Sequence, residues 1–236
     1  MPDVLNRTLG HPTSASAPHR LAKVDKLESF AGRWLDVGCG AGAYTSLLLE
    51  HQCSTAVGAD VRLHPPLPDA GGLSFVDSPS EHLPFASASF DGVLLNEVLE
   101  HVDDEQAALS EIHRVLRPGG RLVIFCPNRW FPFEGHGATI RGHFFEFPVP
   151  VIPWLPSRMT YRWTHARNYW PRQLKKLVRQ AGFEVNRTGF AYPLFVEYTW
   201  LPAALSKRMK SWAPQLESTP LVRRFGVSTM LLARSI

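Results

Sequence analysis

Short apolar runs alternate with helical periods along most of this chain. Trp34–Val37, Thr55–Ala59, Leu73–Val76, Gly92–Leu95 and Arg121–Phe125 are runs of strand length, and residues 42–51, 103–116 and 170–181 carry the apolar spacing of helices. Strand and helix in alternation predict an α/β fold with right-handed crossovers, built on an open, doubly wound, mostly parallel sheet. Gly182 ends the third helix as a C′ residue. Two later strands are expected at Phe183–Phe190 and Gly226–Ala233, the last of them antiparallel.

Three stretches depart from this rhythm. Residues 1–20, with Pro2, Pro12 and Pro18, lack a sustained apolar period and read as a flexible leader. Leu21–Phe30 follows as a short amphipathic helix, with Leu21, Val24, Leu27 and Phe30 on the face that could cover a pocket. Insertions at about 128–168 and 191–220 interrupt the alternation, and loops of that length inside a compact domain usually carry function. The expected organisation is a leader followed by a single domain over 21–236, with the two insertions as lids.

Composition narrows the class. The 236 residues, 44% hydrophobic and 19% charged, can bury one full core, and a formal charge of +4 without a basic tail gives no nucleic-acid arm. Cys39, Cys53 and Cys126 form neither a CxxC pair nor a Cys/His zinc spacing, so they read as reduced thiols. No leader with an apolar h-region and no run of eighteen apolar residues is present in this sequence. The expected location is cytoplasmic, with membrane association left open.

Chemistry concentrates first at Trp34-Leu35-Asp36-Val37-Gly38-Cys39-Gly40-Ala41-Gly42, where an acidic residue near the end of a strand meets three glycines leading into a helix. Glycines permit a tight turn and close approach of a ligand to the main chain. The spacing also satisfies the dinucleotide fingerprint, so a nicotinamide oxidoreductase is the rival enzyme. Asp36 separates the two, because pyrophosphate is disfavoured beside an anion whereas a cationic amino group and sulfonium are favoured. Asp60, closing the second strand, can accept from ribose hydroxyls in either case.

Further segments follow in a fixed order: Leu83-Pro84-Phe85, Ser89-Phe90-Asp91-Gly92-Val93, Asn96-Glu97-Val98-Leu99-Glu100-His101-Val102 and Arg114-Val115-Leu116-Arg117-Pro118-Gly119-Gly120-Arg121-Leu122. With the glycine motif, this series resembles the small-molecule class I S-adenosylmethionine-dependent methyltransferases, including those of quinone biosynthesis. The resemblance spans about Arg33 to Asn128 and implies a Rossmann-like fold that binds S-adenosylmethionine and releases S-adenosylhomocysteine. It implies that Asp36, Gly38, Cys39 and Gly40 line the methionine moiety, Asp60 and Val61 the ribose and adenine, and Asn96 the cofactor from the fourth strand. Pro79 stands where many relatives carry an acidic adenine contact, leaving Asp77 or the backbone near Ser80 and Glu81 for that role.

Candidate catalytic residues are His101, Glu97 and His136. An acceptor hydroxyl must lose its proton as it attacks, and imidazole suits that transfer. Were the stretch helical, Glu97, Glu100 and His101 at i, i+3 and i+4 would share one side. In some quinone-pathway relatives the matching Glu, Glu and His bind a divalent metal, which lowers a hydroxyl pKa. Many others with the same string use none, and no metal is assigned here from sequence. Glu134 and His143 also lie in the first insertion, where His143 is a rival base.

Between Arg129 and Lys210 stand nine Arg and four Lys against four Glu and no Asp, interleaved with aromatics such as Trp130, Phe133, Phe144, Phe147, Trp154, Tyr161, Trp170, Phe195 and Tyr198. Such a segment suits a lid over a small-molecule, glycan or lipid-linked acceptor. It would equally suit peripheral contact with an anionic membrane or a homodimer interface. No nucleic-acid module is visible. Asn128–Gly137 together with Ala166–Pro171 is also similar to bacterial methyltransferases of glycan or lipid tailoring. The reaction expected is methyl transfer to an acceptor oxygen, ahead of nitrogen or carbon, and the non-enzyme alternative is a cofactor-binding scaffold.

Overall fold

The computed structural model describes residues 16–145, 149–160, 162–192 and 203–236; Phe147, Tyr161, Phe195, Tyr198 and most of the leader lie outside them. Helix α1 (Ala17–Asp25) opens with Pro18 in its first turn, where a missing N–H removes no helical bond. It therefore starts before the expected Leu21, taking the end of the leader into regular structure. It ends at Asp25, so Leu27 lies beyond it and is exposed, while Ala17, Leu21, Val24 and the later Phe30 are buried.

The chain continues through β1 (Gly32–Val37), α2 (Ala43–Glu50), β2 (Cys53–Asp60), β3 (Leu73–Asp77), β4 (Phe90–Asn96), α3 (Glu105–Val115) and β5 (Leu116–Pro127). The first insertion holds β6 (Phe133–Glu134), β7 (Ala138–Ile140), β8 (His143–Phe145), β9 (Val149–Pro150) and α4 (Ser157–Thr160). Then come α5 (Pro171–Gln180), β10 (Phe183–Ala191), α6 (Ala203–Ser218) and β11 (Ser228–Ser235). The main sheet has the order β10-β11-β5-β4-β1-β2-β3, with β11 antiparallel to both neighbours and β1 to β5 mutually parallel where they pair. This is the Rossmann-like architecture that the resemblance implies.

Pro118-Gly119-Gly120, which reads as a turn between helix and strand, lies instead within β5. Phe90 pairs with Leu116 and Gly92 with Arg121, so the residues between Leu116 and Arg121 bulge out of the ladder.

Alternate residues of the central strands face two layers. Leu35, Val37, Val57, Val93 and Leu95 pack in one cluster with Leu109 and Ile112 of α3 and Leu174 and Val178 of α5. Trp34, Ala56, Leu94 and Phe125 pack in the other with Leu21 and Val24 of α1 and Leu48 of α2. Both faces are covered, so the strands read as nearly continuous apolar runs. Their carboxyl ends carry the polar residues: Asp60 pairs across the sheet with Asp77, and Val37 with Ala59 and Leu95. The strand order reverses between β1 and β4, where an open parallel sheet leaves a crevice.

The insertions are tied to that edge. The Asn128 side-chain amide donates to the Arg224 and Gly226 carbonyls, and its Oδ1 accepts from the Trp130 N–H. Buried Arg129 donates to the carbonyls of Pro153 and Leu155 and to the Ser157 hydroxyl, organising the loop around one cation. Arg167 donates to the carbonyls of Glu100, Val102 and Asp103, clamping the end of the insertion onto the turn after β4. Helix α6 is held to α1 through Glu217, which accepts from Lys23 Nζ at 2.6 Å and lies 3.3 Å from His19. Burial would raise that carboxyl, but its bonds to His19, Lys23 and the Tyr192 N–H hold it at about 2.

Candidate active site

The glycine turn after β1 is closed toward the protein and open on the other side. Gly38 (φ 75°) and Gly40 (φ 54°) both adopt left-handed backbone. A Cβ on Gly38 would lie 2.2 Å from Val98, whereas one on Gly40 would meet nothing within 4 Å, so a ligand can approach the main chain there. Asp36 stands at the base of the turn, 2% exposed, with Oδ2 accepting from the Thr45 hydroxyl at 2.7 Å. Burial, with the charge of Asp60 adding to it, raises its carboxyl to about 7 against the opposing Thr45 bond. Burial and the same two carboxylates push the Cys39 thiol upward, which keeps it neutral rather than nucleophilic.

Asp60 accepts from the Gly40 N–H through Oδ2 and from the Arg62 N–H through Oδ1, both at 2.8 Å, which leaves each oxygen a second lone pair. Val61 beside it is 75% exposed, an apolar surface at the rim. Asp77 accepts from the Leu63 N–H at 3.3 Å and so fastens the loop that follows β2; Ser80 donates to Glu81 at 2.9 Å. A nucleoside carrying a cationic tail fits these residues: a desolvated carboxylate offset by one hydroxyl, an open main-chain rim, acceptor oxygens and an apolar ledge. A pyrophosphate does not, because two carboxylates border the turn.

Across the crevice lies a buried network that joins the first helix, β4 and the last strand. Arg20 donates at 2.8 Å to both Asn96 Oδ1 and Glu97 Oε1 and at 2.9 Å to the Ser228 hydroxyl, and Ser228 donates to Glu97 at 2.5 Å. Burial would raise the Glu97 carboxyl, but the Arg20 charge and the bonds from Ser228 and Arg20 hold it below the usual range. The Asn96 carboxamide oxygen and the Glu97 carboxylate are thus committed to Arg20.

The stretch after β4 is not the helix on which the shared face of Glu97, Glu100 and His101 depends. Glu97 takes left-handed backbone (φ 55°), and α3 begins only at Glu105, where Asp104 accepts from the Gln106 and Ala107 N–H groups. Glu97 turns toward Arg20, and a different group assembles. His101 Nε2 and His136 Nε2 each lie 3.9 Å from Glu100 Oε1, and the two rings stand edge to face with centroids 5.0 Å apart. His136 Nδ1 is 3.4 Å from Glu134 Oε1, while Glu134 also accepts from the His136 N–H and from the Asn168 amide. Burial, then the charge of Glu97, raises the Glu100 carboxyl well above its ordinary range. His143 is exposed on β8, with Nδ1 3.3 Å from the Arg141 carbonyl.

Arg20 and Ser228 escaped sequence reasoning. Arg20 had a visible signal: it sits three residues after Ala17 and four before Val24, inside the apolar stripe of α1, where a cation needs a buried partner. Ser228 had none, since a serine opening a strand looks like any other.

Replacing Arg20 by Met keeps the volume and strands Glu97 in the interior. R20M is expected to lose about 3–5 kcal/mol of stability in urea unfolding, with E97Q on the same chain restoring part of it. An unchanged midpoint in R20M would show that another group offsets Glu97.

A family model described as a methyltransferase domain matches residues 35–124. Over 179 residues the chain is 38% identical to O-methyltransferase rstn1 of Aspergillus nomiae, covering 68% of each protein. Over 174 residues it is 33% identical to the demethylmenaquinone methyltransferase of Beutenbergia cavernae, covering 70% of this chain and 71% of that one. In fold it is similar to an S-adenosylmethionine-dependent methyltransferase of Mesorhizobium loti, with a TM-score of 0.59 and 17% identity over 92% of this chain and 97% of that one. The nicotinamide oxidoreductase weighed on the glycine spacing is thereby set aside. The chain belongs to the class I S-adenosylmethionine-dependent methyltransferases.

Proposed function

We propose that the enzyme methylates an oxygen of a hydroxylated small molecule, holding its cofactor between the glycine turn and the ends of β1, β2 and β4. The observation that carries this reading is Asp36, a desolvated carboxylate beside an open glycine rim. The name of one relative, an O-methyltransferase, supports oxygen as the acceptor atom.

When bound, S-adenosylmethionine supplies a methyl group on a sulfonium sulfur, open to in-line displacement. Asp36 would accept from the cofactor's ammonium group, and Gly38, Cys39 and Gly40 would line its methionine chain. Asp60 would accept from the ribose hydroxyls, Val61 would offer an apolar surface to the adenine, and Asp77 and Asn96 border the crevice. His101, whose side chain is 36% exposed, is the member of its cluster that can meet an acceptor and take its proton. The lid fixes orientation and keeps water out, the larger part of the rate advantage for a displacement between two bound partners.

Incubation with methyl-labelled S-adenosylmethionine and a panel of phenols, catechols and aromatic amines is expected to give labelled methyl ethers, identified by mass spectrometry. Labelled amines alone would overturn the oxygen assignment.

Because burial lifts Asp36 to about 7, a cationic ligand must draw its proton off below that value. Affinity for S-adenosylhomocysteine should rise by about tenfold per pH unit between roughly pH 5 and 7 and then level off. At pH 8, D36N should bind roughly 10- to 150-fold more weakly, the loss of one hydrogen bond to a charged group, and its affinity should lose the pH slope. Calorimetry reads both effects, and a flat wild-type profile contradicts the role given to Asp36.

A lipid-linked acceptor is the second reading. Leu221 (72% exposed), Val222, Phe225 and Trp130 are exposed, with the Trp130 and Phe225 rings 6.0 Å apart and Arg223 and Arg224 exposed beside them. No helix among the described residues is long and apolar enough to cross a membrane, so such contact would be peripheral. Sedimentation with anionic phosphatidylglycerol vesicles should show salt-sensitive binding. R223A/R224A should weaken it roughly 10- to 30-fold at about 1 kcal/mol per cation. Equal binding to neutral vesicles, or none at low salt, ends this reading.

A further inference from the structure

We infer that the cavity beside Arg129 in the first insertion is a binding site for an oxyanion, the carboxylate or phosphate group of a small ligand. The cavity measures about 260 Å³ and lies between α4, the segment leading to α5, and the start of α3. Ligand pockets commonly span about 300–1,000 Å³ and are mostly apolar. This one is smaller and its wall is polar, with the guanidiniums of Arg129 and Arg167, the hydroxyls of Ser157, Thr160 and Thr164, and the Glu105 carboxylate.

Charge points to the sign of the ligand. Arg129 is 9% exposed and has no carboxylate within ion-pair distance among the described residues. Its Nε, Nη1 and Nη2 each donate once, to the Pro153 carbonyl, the Ser157 hydroxyl and the Leu155 carbonyl, and its Cζ lies 5.2 Å from the centre of the Trp170 ring. A guanidinium carries five N–H groups, so a second N–H on each Nη is left without an acceptor among the described residues. Burial pushes the guanidinium pKa down with no anion to oppose it, and a buried cation is costly until it is paired. An oxyanion presents the acceptors that those N–H groups lack, in the geometry that a guanidinium fork prefers.

The other charges on the wall are already engaged. Glu105 accepts from the Tyr169 hydroxyl at 2.5 Å and lies 4.0 Å from Arg167 Nε. Two guanidiniums against one carboxylate leave one positive charge in excess among the described lining residues. Ser157 accepts from Arg129 and donates to no described residue, so its O–H is available to the oxyanion as well. A neutral or cationic occupant leaves the excess charge uncompensated.

The cavity shares its wall with the histidine cluster. Asn168 lines it and donates at 2.6 Å to Glu134, whose other oxygen is 3.4 Å from His136 Nδ1. Arg167 lines it and donates to the Glu100 carbonyl. The oxyanion therefore has two sources to be told apart: free inorganic phosphate, or an acid group on the small-molecule acceptor, the latter resting on the function proposed above.

Full-length protein without cofactor is titrated by calorimetry with inorganic phosphate, with para-hydroxyphenylacetate, and with para-cresol, the same ring lacking the acid group. One oxyanion per chain is expected. Phosphate that binds while the acid gains nothing over cresol assigns the site to a free anion; an acid bound at least tenfold more tightly than cresol assigns it to the acceptor. R129M and S157A should each weaken the bound oxyanion by about 10- to 150-fold, the loss of a hydrogen bond to a charged group, and leave cresol unchanged. Ser157 is exposed at the start of α4, so S157A decides the matter should R129M fail to fold. The inference is overturned if neither phosphate nor the acid group adds affinity, or if S157A binds the oxyanion as the wild type does. No methyl transfer enters the readout, so failure here leaves the proposed function standing.

Discussion

The site depends on one constraint, the parallel register that brings β3, β2, β1 and β4 to an end along a single edge beside the strand-order reversal. Within the sheet both faces are covered and the side chains are apolar; at the last paired residue and beyond it a side chain can be polar. Asp77, Asp60, Asn96 and Glu97 occupy those ends, and Asp36 lies one residue before its strand ends. The crevice, the glycine turn and the anchoring of the lid all follow from that edge.

Four buried or half-buried carboxyl groups at this edge are treated in different ways by their surroundings. Asp36 has a hydroxyl partner and is pushed up by burial; Glu97 has a guanidinium and a hydroxyl and is held down; Glu100 has two imidazoles at 3.9 Å and the charge of Glu97 beside it, and is pushed up by burial and that charge. Burial is the largest influence on all three, and only the presence of a fixed cation reverses its direction. Asp60 stays at the rim, where backbone donors suffice. One small region therefore holds a carboxyl biased toward its protonated form, an anion already paired, and a carboxyl poised between proton and ligand.

The strands and the main helices were legible because their apolar runs are long and bounded by glycine, proline and capping residues. The errors fell where one residue's backbone overrode the pattern. Pro18 begins α1 inside a stretch that its prolines made look unstructured, and left-handed Glu97 turns an i, i+3, i+4 alignment into two groups facing different partners. The bulge at Pro118-Gly119-Gly120 is a smaller case, since those residues favour a turn whether or not the strand resumes in register.

By itself the sequence determined the α/β alternation, the glycine turn and the pairing of Asp36 with that turn, because these are local: a strand, its last acidic residue and the turn after it are contiguous, and their geometry is dictated within about ten residues. The tertiary structure alone decided which cation meets Glu97, 77 positions from Arg20, and that a histidine of the insertion joins Glu100. A buried charge must find a counterpart, but packing chooses which of several distant candidates is brought within reach, and no period or spacing along the chain encodes that choice.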